Sequence, residues 1–231
     1  MAVTSQITTL GIIGAGRLGR VLASLAVDAG YRVVVARSGE PAPIARAIAA
    51  IGAEAMAVSD LVMVSDAVVL ALPLGRYRAL PAELMRGMLV IDAMNYWWGA
   101  DGDRPDLDDP RTSTSELVQR HLAGARVVKG LGHMGYHDME DEARPAGASD
   151  RKAIAIAGDS TEDLDVVSRL VDDLGFDPVI AGPLASGIML EPGADAFGAD
   201  VGADELREML DGFETSRRGI VVARARRSAR S

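Results

Sequence analysis

The stretch Gly14-Ala15-Gly16-Arg17-Leu18-Gly19 limits what this chain can fold into more than any other. It follows an apolar, β-branched run, Thr8 to Ile13. It opens an amphipathic run, Leu18 to Ala29, which Gly30 closes before a second apolar run, Arg32 to Ala36. The chain has 25 glycines, so the G-x-G-x-x-G spacing alone carries little weight. Its position between a strand pattern and a helix pattern is what predicts a βαβ unit that receives a dinucleotide. Each glycine has its own reason to be there. Gly14 permits the tight turn, Gly16 lets a pyrophosphate approach bare backbone, and Gly19 lets the helix lie close on the strand. Ala15, Arg17 and Leu18 fill the positions between them. The free N–H groups at the start of the helix, with their partial positive charge, favour the phosphates.

The second strand of such a Rossmann unit ends where the adenosine ribose is read, and an NAD-selective site places Asp or Glu there to accept from the 2′-OH. This chain has Ala36-Arg37-Ser38-Gly39 instead, with the nearest acid, Glu40, beyond the glycine. Arg37 has no acceptor, but it pairs readily with a 2′-phosphate, and Ser38 adds a hydroxyl. Arg17 is a further candidate for the same phosphate. The expected cofactor is NADP.

Onward, the pattern predicts a helix over Pro41 to Ile51, a short strand over Ala53 to Val58, and a short helix capped by Ser59-Asp60. Strands follow at Ala67 to Leu72 and Leu89 to Asp92, then a helix over Ser113 to Leu122 with Ser113 and Glu116 at capping-box spacing. Further strands are expected at Ala125 to Lys129, Lys152 to Ala157 and Asp177 to Ile180, with helices over Thr161 to Leu174 and around Ala203 to Met209. This alternation predicts an α/β protein: a Rossmann-type doubly wound, mostly parallel sheet with helices on both faces and a small C-terminal addition. Residues 1–182 read as the NADP-binding domain with inserted substrate-side loops, and 183–231 as a small helical segment with a basic tail. Met1 to Gln6 reads as a short leader.

Composition excludes several function classes. With no cysteine there is no disulfide, thiolate metal site or thiol nucleophile. No apolar run approaches the ~18–20 residues of a membrane span, and no basic stretch precedes a hydrophobic core at the N-terminus, so a cytoplasmic protein without a membrane partner is expected. A net charge of −9 opposes nucleic-acid binding. Arg217, Arg218, Arg224, Arg226, Arg227 and Arg230 gather at the C-terminal end; a solvated or frayed basic tail that pairs with the acidic body is expected there.

Leu72 and Pro73 end a buried strand and should lie over the crevice that holds the nicotinamide half of the cofactor. Arg76, Tyr77 and Arg78, just beyond, read equally as solvated or as ligand-binding. Both tryptophans of the chain lie in Asn95-Tyr96-Trp97-Trp98, where they can wall a planar substrate, pack the loop onto the body or fill a subunit interface. Gly99 to Pro110 is acidic and rich in Gly and Pro, the pattern of an exposed functional loop or lid. Gly130 to His137 carries two histidines. His133, His137 and Asp138 invite a metal, but three glycines oppose a helix there and no H-E-x-x-H glutamate is present, so no metal is expected. His133 is instead the candidate catalytic or substrate-contacting residue. Asp138 to Asp150 reads as an acidic loop. No nucleophile, triad or carboxylate pair presents itself.

The chain resembles the family of NADP oxidoreductases dependent on the deazaflavin coenzyme F420, whose dinucleotide domain is shared with the reductase domain of STEAP metalloreductases. The resemblance rests on Gly14 to Gly19, Arg37-Ser38, Leu72-Pro73, Val127-Val128-Lys129 with the loop that follows, Lys152 to Gly158, and the late Ala181-Gly182-Pro183-Leu184. It implies an NADPH-dependent oxidoreductase that exchanges hydride between NADP(H) and coenzyme F420 or a flavin, both of them small-molecule partners, and that works as a homodimer. It further implies that Leu72, Asn95 and the Gly132-His133-Met134 loop border the nicotinamide. Direct transfer between two cofactor carbons needs stacking and orientation more than an acid or base, in keeping with the missing acid–base apparatus. Two other functions fit a Rossmann chain: an imine or β-hydroxyacid reductase, and a nonenzymatic NADP-binding sensor. The first commonly has a long helical C-terminal domain, which ranks it lower here.

Overall fold

The computed structural model describes residues 6–228. Met1 to Ser5 of the expected leader, and Arg230 of the basic cluster, lie outside the described residues. The chain begins with β1 (Thr9–Ile13), α1 (Arg17–Asp28), β2 (Arg32–Ala36), α2 (Ala42–Ala49), β3 (Glu54–Ala55), α3 (Val58–Val64) and β4 (Ala67–Leu70). A 3-10 helix at Leu74–Ala79 leads to β5 (Leu89–Asp92), the single turn α4 (Trp98–Asp101), α5 (Thr114–His121), β6 (Arg126–Lys129) and α6 (Tyr136–Glu142). Then come β7 (Ala153–Gly158), α7 (Thr161–Asp173), β8 (Asp177–Gly182), a 3-10 stretch at Leu184–Leu190, α8 (Ala203–Asp211) and α9 (Arg217–Ser228).

The strands form one eight-stranded sheet in the order β3-β2-β1-β4-β5-β6-β7-β8. Every pairing is parallel except β6 with β7. β1, β4, β5 and β7 are buried along their whole length, as inner strands of a sheet with both faces covered must be. One face packs α1 and α7 through Leu22, Ala26, Val167 and Leu170; the other gathers Leu61, Leu74, Met85 and Val118. Gly11 is what lets α3 approach the sheet, because a Cβ there would come within 2.5 Å of Ser65 Oγ. The doubly wound, mostly parallel fold is as expected. Strand order reverses between β1 and β4, which puts the ligand crevice of an open α/β sheet at the C-terminal ends of these two strands.

The capping box forms as expected: the Ser113 hydroxyl accepts from the Glu116 N–H at 3.2 Å, and the Glu116 carboxylate accepts from the Ser113 N–H at 2.7 Å. Several boundaries differ from the sequence pattern. α3 starts at Val58 after an extended Ala57, so Ser59 and Asp60 lie inside its first turn and do not cap it. The strand expected over Ala53 to Val58 is only Glu54–Ala55, since it has a single neighbour, β2. Part of the expected loop after Asp138 is α6, which buries Met139 in the core.

The arginine-rich end is a helix through Ser228. Gly219 holds its start against the preceding turn, where an added Cβ would lie 1.8 Å from the Phe213 carbonyl oxygen. Arg218 of this helix reaches Asp108 at 3.8 Å, and Arg226 donates to the Arg111 carbonyl at 3.2 Å. The chain beyond Gly182 also completes a core cluster in which Leu190, Leu206 and Leu210 pack on Ala153, Ala155 and Val179. No helix among the described residues is long and apolar enough to cross a membrane.

Candidate functional site

The β1–α1 turn is built by close backbone approach. Gly14 takes φ +129°, in the region that favours glycine, and its N–H donates to the Ala36 carbonyl at 2.8 Å, tying the turn to the end of β2. A Cβ on Gly14 would lie 2.1 Å from the Ala71 carbonyl oxygen, and one on Gly19 would lie 1.8 Å from the Gly14 oxygen. Gly16 differs: it is extended (φ −73°, ψ −167°), and a Cβ there meets nothing within 4 Å. Gly14 and Gly19 are therefore demanded by the protein itself. Gly16 opens onto free space at the start of α1, where bare backbone would admit a pyrophosphate.

This turn floors an open cleft of about 620 Å³. Gly14, Ala15 and Gly16 line one side, and Ala71, Leu72 and Pro73 at the end of β4 line the next. An apolar wall of Val58, Leu80, Pro81 and Leu84 follows, and Arg37, Ser38 and Arg76 lie at the rim. Among the described residues, those two arginines are the only charged ones lining the cleft, in a chain of net charge −9. Arg76 Nη1 donates to Ser38 Oγ at 3.5 Å. Arg37 and Arg76 make no ion pair with an acid among the described residues, and neither is on a helix whose own carboxylates neutralise it. A dianion between them would be held by two guanidinium groups and a hydroxyl.

Arg76 is a residue whose role the sequence left open. Its position comes from the crossover that lays β4 beside β1, one strand over from β2, so only its adjacency to Leu72-Pro73 hinted at it. Arg17 behaves otherwise than expected. It does not line the cleft that Arg37 lines; it donates to the Tyr136 hydroxyl at 2.7 Å and lies 5.8 Å from that ring's centroid, so it braces α1 against α6. Leu18 packs partly buried against the core beneath α1 and does not line the cleft.

His133 also departs from expectation. It is 1% exposed. Its Nε2 accepts from the Ala155 N–H at 2.9 Å, which leaves the proton on Nδ1, and Nδ1 donates to the Ala196 carbonyl at 3.1 Å. Burial drives its pKa down to about 4, with the Ala196 bond opposing and the Lys129 charge adding to the fall. Both ring nitrogens are thus spent on backbone, and the ring locks the Gly130–Gly135 loop between β7 and the 194–198 segment. It is a structural histidine and presents nothing to a substrate.

At the ends of β5 and β6 lies a buried polar group that sequence patterning missed. Asp92 and Lys129 are register partners, and both are fully buried. Asp92 accepts from the Met94 N–H at 3.0 Å and from Ser115 Oγ at 2.6 Å. Lys129 Nζ donates to the Met94 carbonyl and, at 3.1 Å, to Asn95 Oδ1. Asn95 Nδ2 in turn donates to the Gly132 carbonyl at 2.7 Å. Nearby Glu191, raised in pKa mainly by burial, accepts from the Thr114 N–H and hydroxyl.

Trp97 and Trp98 are 61% and 72% exposed, on the loop that leaves β5. That loop is pinned on several sides. Asp101 accepts from the Gly75 N–H at 2.8 Å and the Trp97 N–H at 3.0 Å, the Tyr96 hydroxyl donates to the Gly102 carbonyl at 2.9 Å, and Leu107 is buried. The acidic stretch, expected to be an exposed functional loop or lid, is held to the cleft lip at Gly75 and, through Asp108 and the adjoining Arg111, to α9.

Comparison with known proteins agrees with this geometry. Residues 9–96 match the family NADP oxidoreductase, coenzyme F420-dependent, which bears out the resemblance over the stretch that builds the cleft. Over 80 residues the chain is 35% identical to protein YjhV of Escherichia coli (strain K12); the match takes in 35% of this chain and 56% of that protein, so it spans little more than half of the curated relative. Among solved structures, a hypothetical protein from Sinorhizobium meliloti is 26% identical with a TM-score of 0.73, covering 84% of this chain and 95% of its own. A protein from Arthrobacter sp. FB24 named for F420-dependent NADP reduction is also 26% identical, with a TM-score of 0.65 over 76% of this chain and 84% of its own.

Proposed function

With residues 9–96 falling in the NADP oxidoreductase, coenzyme F420-dependent, family, we propose that this protein is an NADPH-dependent oxidoreductase whose acceptor is a deazaflavin or flavin. The observation that carries the reading is the cleft rim. Arg37, Ser38 and Arg76 gather at the end of β2 where an acid would sit in an NAD-selective site, and no acid lines the cleft. In this reading Gly14–Gly16 and the α1 start would hold the pyrophosphate, and Val58, Leu80, Pro81 and Leu84 would offer an apolar wall to the adenine. Arg37 and Arg76 would hold the 2′-phosphate, and Leu72, at the β4 end beside the β5 end that leads to Asn95, would border the nicotinamide. NADPH supplies the hydride. The protein's part is to bind and orient: His133 is sealed in the core, and the cleft lining holds no carboxylate or histidine to move a proton.

The exposed Trp97 and Trp98, on a loop pinned to the cleft lip, favour a planar conjugated acceptor. The test is NADPH oxidation by the purified protein with deazaflavin, FMN, FAD, riboflavin and ferric acceptors in parallel. Turnover with a deazaflavin or flavin is the expected result. NADPH binding without turnover of any acceptor would leave a nonenzymatic NADP sensor as the better reading.

A further inference from the structure

We infer that Lys129 is a positioning residue for the nicotinamide end of the site and that it acts through Asn95. The inference rests on the NADPH reading above. Asp92 and Lys129 end adjacent parallel strands in register, and they hold opposite ends of one residue, Asp92 taking the Met94 N–H and Lys129 the Met94 carbonyl. The backbone is therefore fixed as it leaves β5. Lys129 also donates to Asn95 Oδ1, which orients the amide so that Nδ2 faces and donates to the Gly132 carbonyl. The chain of bonds Lys129–Asn95–Gly132 joins the β5 loop to the β6 loop.

Two features of the second loop fit this clamp. A Cβ on Gly132 would lie 2.5 Å from the Ala93 carbonyl oxygen, so glycine is needed for the loops to touch. Leu131, buried beside it, is the only non-glycine with positive φ among the described residues, at 60°. Strained backbone of this kind persists only where its surroundings over-determine it. A fully buried lysine is costly and is not needed to fill the volume, which methionine would fill as well. What it does that an apolar side chain cannot is donate to two acceptors on the crevice-edge loop. Asn95, half-buried three residues beyond the β5 end, which lies next to the β4 end that lines the cleft, would link the hidden amine to the ligand.

The test compares NADPH with adenosine 2′,5′-bisphosphate, which has the phosphate and adenine contacts but no nicotinamide, by calorimetric titration of wild type, Lys129→Met, Asn95→Ala and the double variant. Each single variant should weaken NADPH about fivefold or more, the loss of one buried hydrogen-bond link, and leave the bisphosphate within about twofold. The double variant should be no worse than the weaker single, because both break one chain. Equal weakening of both ligands, unchanged NADPH binding, or additive losses would overturn the positioning role. Should Lys129→Met fail to fold, Asn95→Ala alone decides: NADPH weakened with the bisphosphate unchanged supports the clamp, and NADPH unchanged overturns it. Wild type that binds neither ligand would instead overturn the cofactor reading, and the clamp with it.

Discussion

Arg76 Nη1 lies 3.5 Å from Ser38 Oγ, although the two residues come from different strand ends, after β4 and after β2. That pairing puts a second cation on the rim with Arg37, which is the basis for proposing that the rim takes the 2′-phosphate. Replacing Arg37 with alanine should weaken NADPH by ~1.5–3 kcal/mol, the worth of a charge-assisted hydrogen bond, and barely change NADH. Arg76→Ala should act in the same direction by a smaller amount, about 1 kcal/mol, since its contact to Ser38 is long. Side-by-side titration with both nucleotides checks this; equal losses for NADPH and NADH would mean that the arginines do not read the 2′-phosphate.

The three glycines of the turn should separate into two kinds. Gly14→Ala and Gly19→Ala force a Cβ into backbone oxygens and should cost more than ~2 kcal/mol of stability each. Gly16→Ala meets open space at an ordinary φ and should leave the melting temperature within about 2 °C. It should nevertheless weaken both NADPH and NADH, because the added methyl stands where the pyrophosphate approaches. Thermal melts with and without nucleotide distinguish fold from ligand effects. A Gly16→Ala protein that binds as wild type would remove the pyrophosphate from this turn.

His133 gives a pH signature of stability. Its folded pKa is depressed to about 4 from an ordinary 6.5, so between these values the unfolded chain binds the extra proton. Its contribution is fully present above pH 6.5 and is lost as pH falls through 4. At one pKa unit per 1.36 kcal/mol, the loss is up to about 3 kcal/mol. Denaturant titrations between pH 4 and 7 should show stability rising with pH, with a shallower rise in His133→Gln. Because the ring is sealed, the pH profile of turnover should carry no ionisation that disappears in that variant.

Trp97→Ala and Trp98→Ala should change stability by less than ~0.5 kcal/mol, as expected for exposed side chains. Since both tryptophans of the chain sit on this loop, tryptophan emission reports on it alone. Addition of the true acceptor should alter that emission, and the alanine variants should raise the acceptor's KM with NADPH binding intact. Unchanged emission and KM would move the acceptor elsewhere.

The parts of this molecule that were legible from sequence are those set by local chemistry. The glycine turn, the apolar strands, the capping box at Ser113 and the Arg37-Ser38 strand end each carry their reason within a few neighbouring residues. The rest depends on partners distant in sequence. Arg76 acquires meaning only when β4 is laid beside β1, and Arg17 only when α6 supplies Tyr136. His133 sits in a loop at the crevice edge, where histidine reads as chemistry, but residues 194–198 fold over it and turn it into a core residue. Lys129 ends a strand as many surface lysines do; its burial comes from the 3-10 stretch Leu184–Leu190, whose Gly187 packs against its side chain. The arginine-rich end has a weak helical pattern, and it becomes a helix because Gly219 and Val222 find a surface at Phe213.

The most direct measurement is calorimetric titration of the purified protein with NADPH and with NADH under the same salt and pH. Two arginines and a serine facing a 2′-phosphate predict that NADPH binds at least about tenfold more tightly. Equal affinities, or tighter binding of NADH, would contradict the assignment of the cleft.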